Sequence, residues 1–210
     1  FIGITVVGES GVRDINHSQA NRFGGSDFDS QMAEGDIERL NRNINWLGKA
    51  GQSILTRTRV AICGLGGLGT EMVLNLRGLG VRRYTLIDMD RVEKTNLNRL
   101  PWGLRSIGQY KAEVARSFIH SAVPDAEVEA ITEPVEHERS RTALNTVDFI
   151  VAAVDDDNAR LNVQVLAARH MIPLLDLGAG ISLKSGNREA ERMGGQARLY
   201  VPDSACLLCQ

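Results

Sequence analysis

Cysteine is scarce in this chain, since three residues among 210 are too few for a disulfide framework. A strong net charge is also lacking, because the formal charge is −2 and the basic residues are scattered. We therefore expect neither DNA nor another polyanion as a partner. The apolar runs are too short to span a membrane, and the start, FIGITVVGES, lacks the features of a signal peptide. These absences predict a cytoplasmic protein without a membrane partner.

The first 34 residues differ in composition from the rest. Residues 1–8 predict one β-strand, and residues 9–34 contain Gly, Ser, Asn and Asp without apolar periodicity, as a loop or flexible link does. We therefore divide the chain into residues 1–34, the tail of an upstream domain or an added edge strand, and residues 35–210, the main domain. Because the chain starts with Phe rather than Met, we interpret it as a fragment, a processed chain or the ordered part of a longer protein.

Helices and strands alternate from Asp36 onward. Asp36 fits the N-cap of a helix that ends before Gly48, and a second short helix is predicted over residues 49–55. Strands are then predicted over residues 59–63, 83–87, 126–131, 148–154 and 172–177, and helices over residues 67–79, 108–122, 136–145 and 157–170. This order predicts an α/β, Rossmann-like fold with a mostly parallel sheet and helices on both faces. Residues 196–201 alternate polar and apolar side chains, which predicts an antiparallel C-terminal extension.

A glycine-rich turn follows the first of these strands. Cys63 ends the strand, and the run GLGGLG leads into a helix. Gly64 permits the tight turn, Gly66 lets the backbone approach phosphates, and Gly69 allows the helix to pack closely on the sheet. Asp88 ends the next strand, where a carboxylate can accept hydrogen bonds from ribose hydroxyls. The pattern predicts nucleotide binding rather than a turn that serves packing alone, and a dinucleotide oxidoreductase would share it.

Charged and polar side chains follow the neighbouring strands as well. Because the carboxyl ends of parallel strands share one edge, we expect these side chains to meet at the glycine turn. Carboxylates together with Arg and Lys suit Mg²⁺-ATP chemistry, in which cations neutralise an attacked phosphate. A hydride-transfer site has no need of such a set. The residues are Asp88, Asp90, Asn96, Arg99, Lys111 and Asp155.

Several segments, in order, resemble the adenylyltransferases of the ThiF, MoeB and HesA type. These enzymes activate sulfur-carrier proteins, and the same fold forms the adenylation domain of ubiquitin-activating enzymes. The resemblance extends from about Arg39 to Cys209, over RLNRNINWLG, RVAICGLGGLG, LIDMDRVEKTNLNRL, IGQYKAE, DFIVAAVDDDNARLN and CLLC. It implies ATP-dependent adenylation of the C-terminal carboxylate of a ubiquitin-like or sulfur-carrier protein, with pyrophosphate as the leaving group.

The resemblance also implies a role for each matching residue. The glycines that would wrap the phosphates of ATP are Gly64, Gly66, Gly67 and Gly69. Asp88 would hold the ribose, and the phosphates would be contacted by Asn96, Arg99 and Lys111. Asp155, five residues before Arg160, would bind Mg²⁺, and Asp90 matches the second acidic position of its motif. Arg42 matches an arginine that reaches the γ-phosphate in a neighbouring subunit, which implies a homodimer or a pseudo-dimer.

Each role has a structural alternative. Arg42 on a helix is compatible with a solvated surface charge. Residues 155–157 can instead form an N-cap cluster that complements a helix dipole. For Asp156 and Asp157, this alternative and a metal role fit the sequence equally well. Lys111 in the first turn of a helix opposes the dipole, which favours a bound anion there. Cys63 fits a small core residue.

The sequence departs from the family in two places. Leu100 stands where many relatives have Gln, so one polar contact is lost. Cys206 and Cys209 form half of a structural zinc site, which needs four ligands, and we expect the other half in a missing C-terminal part. The alternatives left open are a relative that activates a small-molecule or tRNA-linked carboxylate, an NAD-dependent oxidoreductase, and a non-catalytic partner of an active subunit. The sequence does not identify the carrier protein.

Overall fold

The computed structural model describes residues 5–8, 11–14, 34–183 and 190–201. The chain divides into two compact units, Phe1–Arg57 and Thr58–Gln210. The predicted domain boundary after residue 34 stays a prediction, because compactness alone does not show which part folds independently.

The first unit contains a hairpin and two helices. Strands β1 (Thr5–Gly8) and β2 (Gly11–Asp14) pair antiparallel, so the prediction of a lone strand is wrong. Residues 11–14 of the predicted loop or flexible link form a strand, and residues 15–33 of it lie outside the described residues. The second strand, GVRD, is too short to show an apolar alternation. Helix α1 is Glu34–Arg39 and helix α2 is Asn41–Arg57. Asp36 lies inside α1, so its prediction as an N-cap is wrong, whereas the predicted break at Gly48 is confirmed by its φ of 72°.

The second unit is a six-stranded sheet with helices. Its strands are β3 (Arg59–Cys63), β4 (Arg83–Ile87), β5 (Glu127–Ile131), β6 (Phe149–Ala152), β7 (Leu174–Leu183) and β8 (Ala190–Tyr200). The order is β5-β4-β3-β6-β7-β8, and all neighbours are parallel except β7 and β8. The predicted Rossmann-like sheet with an antiparallel C-terminal extension is therefore confirmed.

Four helices connect these strands: α3 (Gly67–Gly78), α4 (Lys111–Ala122), α5 (Glu138–Leu144) and α6 (Asp157–Arg169). Helix α4 begins three residues later than predicted, because Gly108 has a φ of +84° that a right-handed helix excludes. No helix in the described ranges has both the length and the apolar content needed to cross a membrane.

The core lies on both faces of the sheet, because alternate residues of a strand point to opposite faces. Val60 and Ile62 of β3 belong to a cluster that includes buried residues of α3 and α4. Ala61 and Cys63 belong to a second cluster with buried residues of α5 and α6. Burial on both faces explains why β3 is an apolar run rather than an alternating one.

Ion pairs lie at the amino edge of the sheet, where β3, β4 and β5 begin. Glu127 contacts both Arg59, at 2.8 Å, and Arg83, at 3.1 Å. Arg82 contacts Asp125 at 2.7 Å. Such partly exposed pairs each contribute about 0–1 kcal/mol to stability.

Candidate functional site

A cleft of about 970 Å³ opens at the carboxyl edge of the sheet. Residues that follow β3, β4, β5 and β6 line it, as expected for parallel strands that end at one edge, together with residues inside β7 and β8. Eight of the residues singled out in the sequence are among those lining it: Gly64, Gly66, Gly67, Asp88, Asp90, Arg99, Lys111 and Asp155. Gly69 and Asn96 are not among the described lining residues.

The glycine turn lines the cleft, and its glycines differ in the space around each of them. Gly64 has a φ of +87°, and a Cβ there would lie 2.6 Å from the carbonyl oxygen of Ala153. A Cβ on Gly66 would meet nothing within 4 Å, so this side of the turn is open. A Cβ on Gly69 would lie 1.9 Å from the carbonyl oxygen of Gly64. Gly69 is therefore a packing residue, which agrees with the sterics expected of the third glycine.

Of the helices that begin beside the cleft, α3 and α6 differ in capping. Helix α3 has Gly66 as its N-cap, and no side chain caps it. Helix α6 is capped by Asp156, whose carboxylate accepts a hydrogen bond from the Ala159 N–H at 2.7 Å. The N-cap interpretation is therefore confirmed for Asp156. The unpaired N–H groups and the positive dipole end at the start of α3 make it a better anion site than the start of α6.

Asp88 is held by the backbone on two sides. One carboxylate oxygen accepts from the Leu65 N–H at 2.6 Å, and the other accepts from the Asp90 N–H at 2.8 Å. Desolvation raises the pKa of Asp88, and the nearby Lys111 charge and the two N–H groups only partly offset it. Each oxygen keeps acceptor capacity beyond its one N–H, so the carboxylate can also accept from a ribose hydroxyl.

Lys111 is 9% exposed and begins helix α4. Its Nζ lies 2.7 Å from a carboxylate oxygen of Asp90, and its N–H donates to the Asp90 carbonyl at 2.9 Å. Asp90 thus compensates a cation that the dipole of α4 disfavours. The position of Lys111 in the first turn of a helix is therefore explained equally by its ion pair with Asp90 and by a bound anion.

Arg99 is exposed at the rim of the cleft. Its guanidinium donates to the Thr95 carbonyl and to the Asn98 side chain, both at 3.2 Å, and it forms no ion pair within the described part of the chain. Its aliphatic stem lies beside the glycine turn, with Cδ 3.6 Å from where a Cβ on Gly67 would be. A guanidinium in this position is available to a phosphate.

Asn96 has a structural role in the loop before Arg99. Its side-chain oxygen accepts from the Glu93 N–H at 3.0 Å, and its carbonyl accepts from the N–H of Arg99 and of Leu100. Leu100 is buried in the core cluster. The leucine that departs from the family pattern therefore contributes apolar burial.

Asp155 is exposed in the loop that follows β6. No group of three or more metal-ligating side chains occurs among the described residues. Mg²⁺ is commonly held by one or two carboxylates together with phosphate oxygens, so a single carboxylate facing a phosphate site fits this ion.

Arg42 lies on α2, in the first compact unit. Cys206 and Cys209 lie outside the described residues.

The sequence interpretation did not assign a role to Arg160 or Asp176. Arg160 donates through Nη2 to the Val154 carbonyl at 2.8 Å, and its Nε lies 3.1 Å from Oδ1 of Asp176. Asp176 is 1% exposed, and this burial raises its pKa although Arg160 and Arg198 oppose the shift. The sequence alone could have drawn attention to Asp176, because an acidic residue inside the apolar run IPLLDL is unusual for a buried strand.

The sequence model of the ThiF family matches residues 40–210. The SAMP-activating enzyme E1 of Haloferax volcanii is 30% identical over 176 residues, which are 82% of this chain and 61% of that protein. The sulfur carrier protein adenylyltransferase of Thermus thermophilus is 32% identical over 143 residues, 67% of this chain and 53% of that protein. The chain thus spans less than two thirds of either relative.

The structure of Escherichia coli tRNA N6-threonylcarbamoyladenosine dehydratase in complex with ATP is similar as well. The TM-score is 0.68 at 25% identity, and the match covers 73% of this chain and 65% of that one.

Proposed function

The chain belongs to the ThiF family, and from that premise we propose that it binds Mg²⁺-ATP and adenylates the C-terminal carboxylate of a ubiquitin-like or sulfur-carrier protein. The observation that carries the proposal is the uncapped start of α3 at the glycine turn, which faces the same cleft as Arg99, Lys111 and Asp155. The names of the SAMP-activating and sulfur-carrier relatives, and ATP in the E. coli dehydratase structure, support the reaction class.

The charges along the cleft orient the nucleotide. Asp88, Glu133 and Glu136 line the end near β4 and β5, and this acidic end repels a triphosphate. Ribose hydroxyls can donate to Asp88 there. The phosphates then extend toward the start of α3, where Arg99 supplies a cation and Gly66 leaves room for the close approach of an oxygen.

The proposed reaction is attack of the carrier carboxylate on the α-phosphate, which forms an acyl-adenylate and releases pyrophosphate. No general base is needed, because a C-terminal carboxylate is ionised near pH 7. Catalysis comes from positioning and from the neutralisation of phosphate charge by Arg99, Lys111 and the N–H groups of α3. Mg²⁺, held by Asp155 and phosphate oxygens, would neutralise further charge on the leaving pyrophosphate.

Further parts of the proposal come from the family resemblance alone. Arg42 reaches the γ-phosphate bound by a second subunit, so the active form is a homodimer or pseudo-dimer. Cys206 and Cys209 contribute half of a structural zinc site. A location in the cytoplasm, expected from the sequence rather than from the resemblance, completes the proposal.

Carrier-dependent exchange between labelled pyrophosphate and ATP tests the proposal. We expect Asp155→Ala to abolish exchange while the melting temperature stays within a few degrees of wild type, because the exposed carboxylate has no bonding partner in the described structure. Asp156→Asn is the matched control, because Asn also caps helices, and it should retain exchange. Near-normal exchange by Asp155→Ala would contradict the metal role, and a wild-type protein that binds no ATP would contradict the whole proposal.

A second candidate is activation of a tRNA-linked carboxylate. The similarity to the ATP-bound E. coli tRNA dehydratase favours it, because that match covers 73% of this chain. Exchange stimulated by tRNA without any carrier protein would select this candidate. Exchange stimulated only by a carrier protein would exclude it.

A further inference from the structure

Strand β7 contains a buried carboxylate, Asp176, which is 1% exposed. Neither of its oxygens accepts a hydrogen bond within the described residues, and the Nε of Arg160, at 3.1 Å, is the contact that offsets its charge most directly. Arg198 lies opposite Asp176 on β8, so its charge acts from the same face of the sheet. Burial of a carboxylate opposes stability, and an apolar residue would fill this position at lower cost.

Arg160 links this carboxylate to the edge of the cleft. Its guanidinium contacts Asp176 through Nε and donates to the Val154 carbonyl through Nη2 at 2.8 Å. Gly178 of β7 lies beside the guanidinium, since a Cβ at that position would be 3.4 Å from Nη2, an ordinary contact distance. One planar group thus connects β7 with the loop at residues 153–156, which a lysine could not do with the same geometry.

The loop at residues 153–156 is held on its other side by the glycine turn. The Ala153 N–H donates to the Cys63 carbonyl at 2.8 Å, and the Ala153 carbonyl lies against Gly64, 2.6 Å from where a Cβ would be. Arg160 and the glycine turn therefore fix the loop from two sides. Asp155 and Asp156 of this loop are both exposed and line the cleft, but the Asp156 carboxylate caps α6, so Asp155 is the carboxylate left for a ligand.

We propose that Asp176 is a positioning residue that acts through Arg160 to hold the loop at residues 153–156, and with it the Mg²⁺-binding carboxylate of Asp155. The Mg²⁺ part of this inference rests on the proposed function. The effect on the loop itself does not, because it follows from the contacts of Arg160 with Val154 and Asp176. Groups that orient a metal ligand from behind change metal affinity or activity by about 10–100-fold when they are removed.

Two readouts test the inference. In pyrophosphate exchange, Asp176→Asn should raise the Mg²⁺ concentration for half-maximal rate by about 10–100-fold, while the KM for the carrier protein stays unchanged. In amide hydrogen exchange, peptides that cover residues 153–156 should exchange about tenfold faster than in wild type. Arg160→Lys should reproduce both effects, and the double variant should be no worse than the more affected single variant, because both residues act through one contact.

Asp148→Asn is the matched control. Its carboxylate accepts from the Arg59 N–H at 2.8 Å, at the opposite edge of the sheet. It should lower the melting temperature without changing the Mg²⁺ dependence or the exchange of residues 153–156. Unchanged Mg²⁺ dependence and unchanged amide exchange in Asp176→Asn and Arg160→Lys would overturn the inference. An inactive wild type would contradict the proposed function instead, and the amide exchange would still decide whether Asp176 holds the loop.

Discussion

Replacing Gly69 by alanine gives a direct test of how α3 sits on the sheet. The new Cβ would lie 1.9 Å from the Gly64 carbonyl oxygen and 2.9 Å from its carbon, whereas real Cβ contacts shorter than 3.0 Å essentially never occur. The helix or the turn must therefore retreat by about 1.1 Å, and the obstacle is backbone, which cannot rotate away as a side chain does. Overpacking of this kind costs about 1–3 kcal/mol of unfolding free energy.

The same substitution at Gly78 serves as the control. Gly78 lies in the same helix, and a Cβ there would meet nothing within 4 Å. Alanine has the higher helix propensity, by up to about 1 kcal/mol, so Gly78→Ala should be neutral or stabilising. The two variants thus have the same composition, and only the space around the added methyl group differs.

The assays are thermal unfolding and pyrophosphate exchange. For a chain of 210 residues, a loss of 1–3 kcal/mol lowers the melting temperature by about 2–12 °C. Because a shift of about 1 Å at a site can cost about 100-fold in rate, Gly69→Ala should also impair pyrophosphate exchange. Equal melting temperatures for Gly69→Ala and Gly78→Ala would refute the steric argument.

Three further predictions follow from single side chains. Lys111→Met should lower the rate of pyrophosphate exchange by about 100-fold, because one charge-stabilising group is lost. The melting temperature should change little, because the ion-pair partner Asp90 is exposed to solvent. A rate within a few-fold of wild type would mean that the only role of Lys111 is its ion pair with Asp90. Burial raises the pKa of Asp88 above 3.8, so the folded protein holds the proton of Asp88 more tightly than the unfolded chain does. The free energy of unfolding of wild type, measured by urea titration and compared with that of Asp88→Asn, should therefore fall as the pH rises from 3.8. A rise over this pH range would show that the pKa is lowered instead. Burial raises the pKa of the Cys63 thiol to about 12, so iodoacetamide should not alkylate Cys63 in the native protein near pH 8. Mass spectrometry of the peptide that contains Cys63 should show alkylation only after denaturant exposes this residue.

The parallel sheet could be predicted because its central strands, β3 and β6, are buried on both faces and are therefore apolar runs. Strands β3 and β4 have the predicted bounds, residues 59–63 and 83–87, and the glycine turn between β3 and α3 has a local sequence signature. The hairpin partner GVRD and the full length of β7 could not be predicted in the same way. Their pairing depends on a second strand, and the outer part of β7 pairs with β8 after β6 has ended.

The composition of the cleft could be predicted from strand ends, whereas the pairing of side chains could not. Lys111 and Asp90 are 21 residues apart, and only the folded chain shows that they form an ion pair. Asn96 has a sequence position typical of a phosphate ligand, but its contacts are within its own loop. Asp176 was missed because a buried charge interrupts an apolar run without forming any recognised motif.

The ion pairs at the amino edge of the sheet have a consequence for engineering. The turn at residues 123–126 and its contact between Arg82 and Asp125 lie at that edge, and none of these residues is among the described residues of the cleft. Because a surface pair contributes so little, losing the Arg82–Asp125 contact to a short tag inserted between the exposed residues Pro124 and Asp125 should itself cost about 1 kcal/mol at most. The same insertion after Cys63 or Ala152 would displace the glycine turn or the Asp155 loop. Labels for imaging or immobilisation therefore belong at the amino edge.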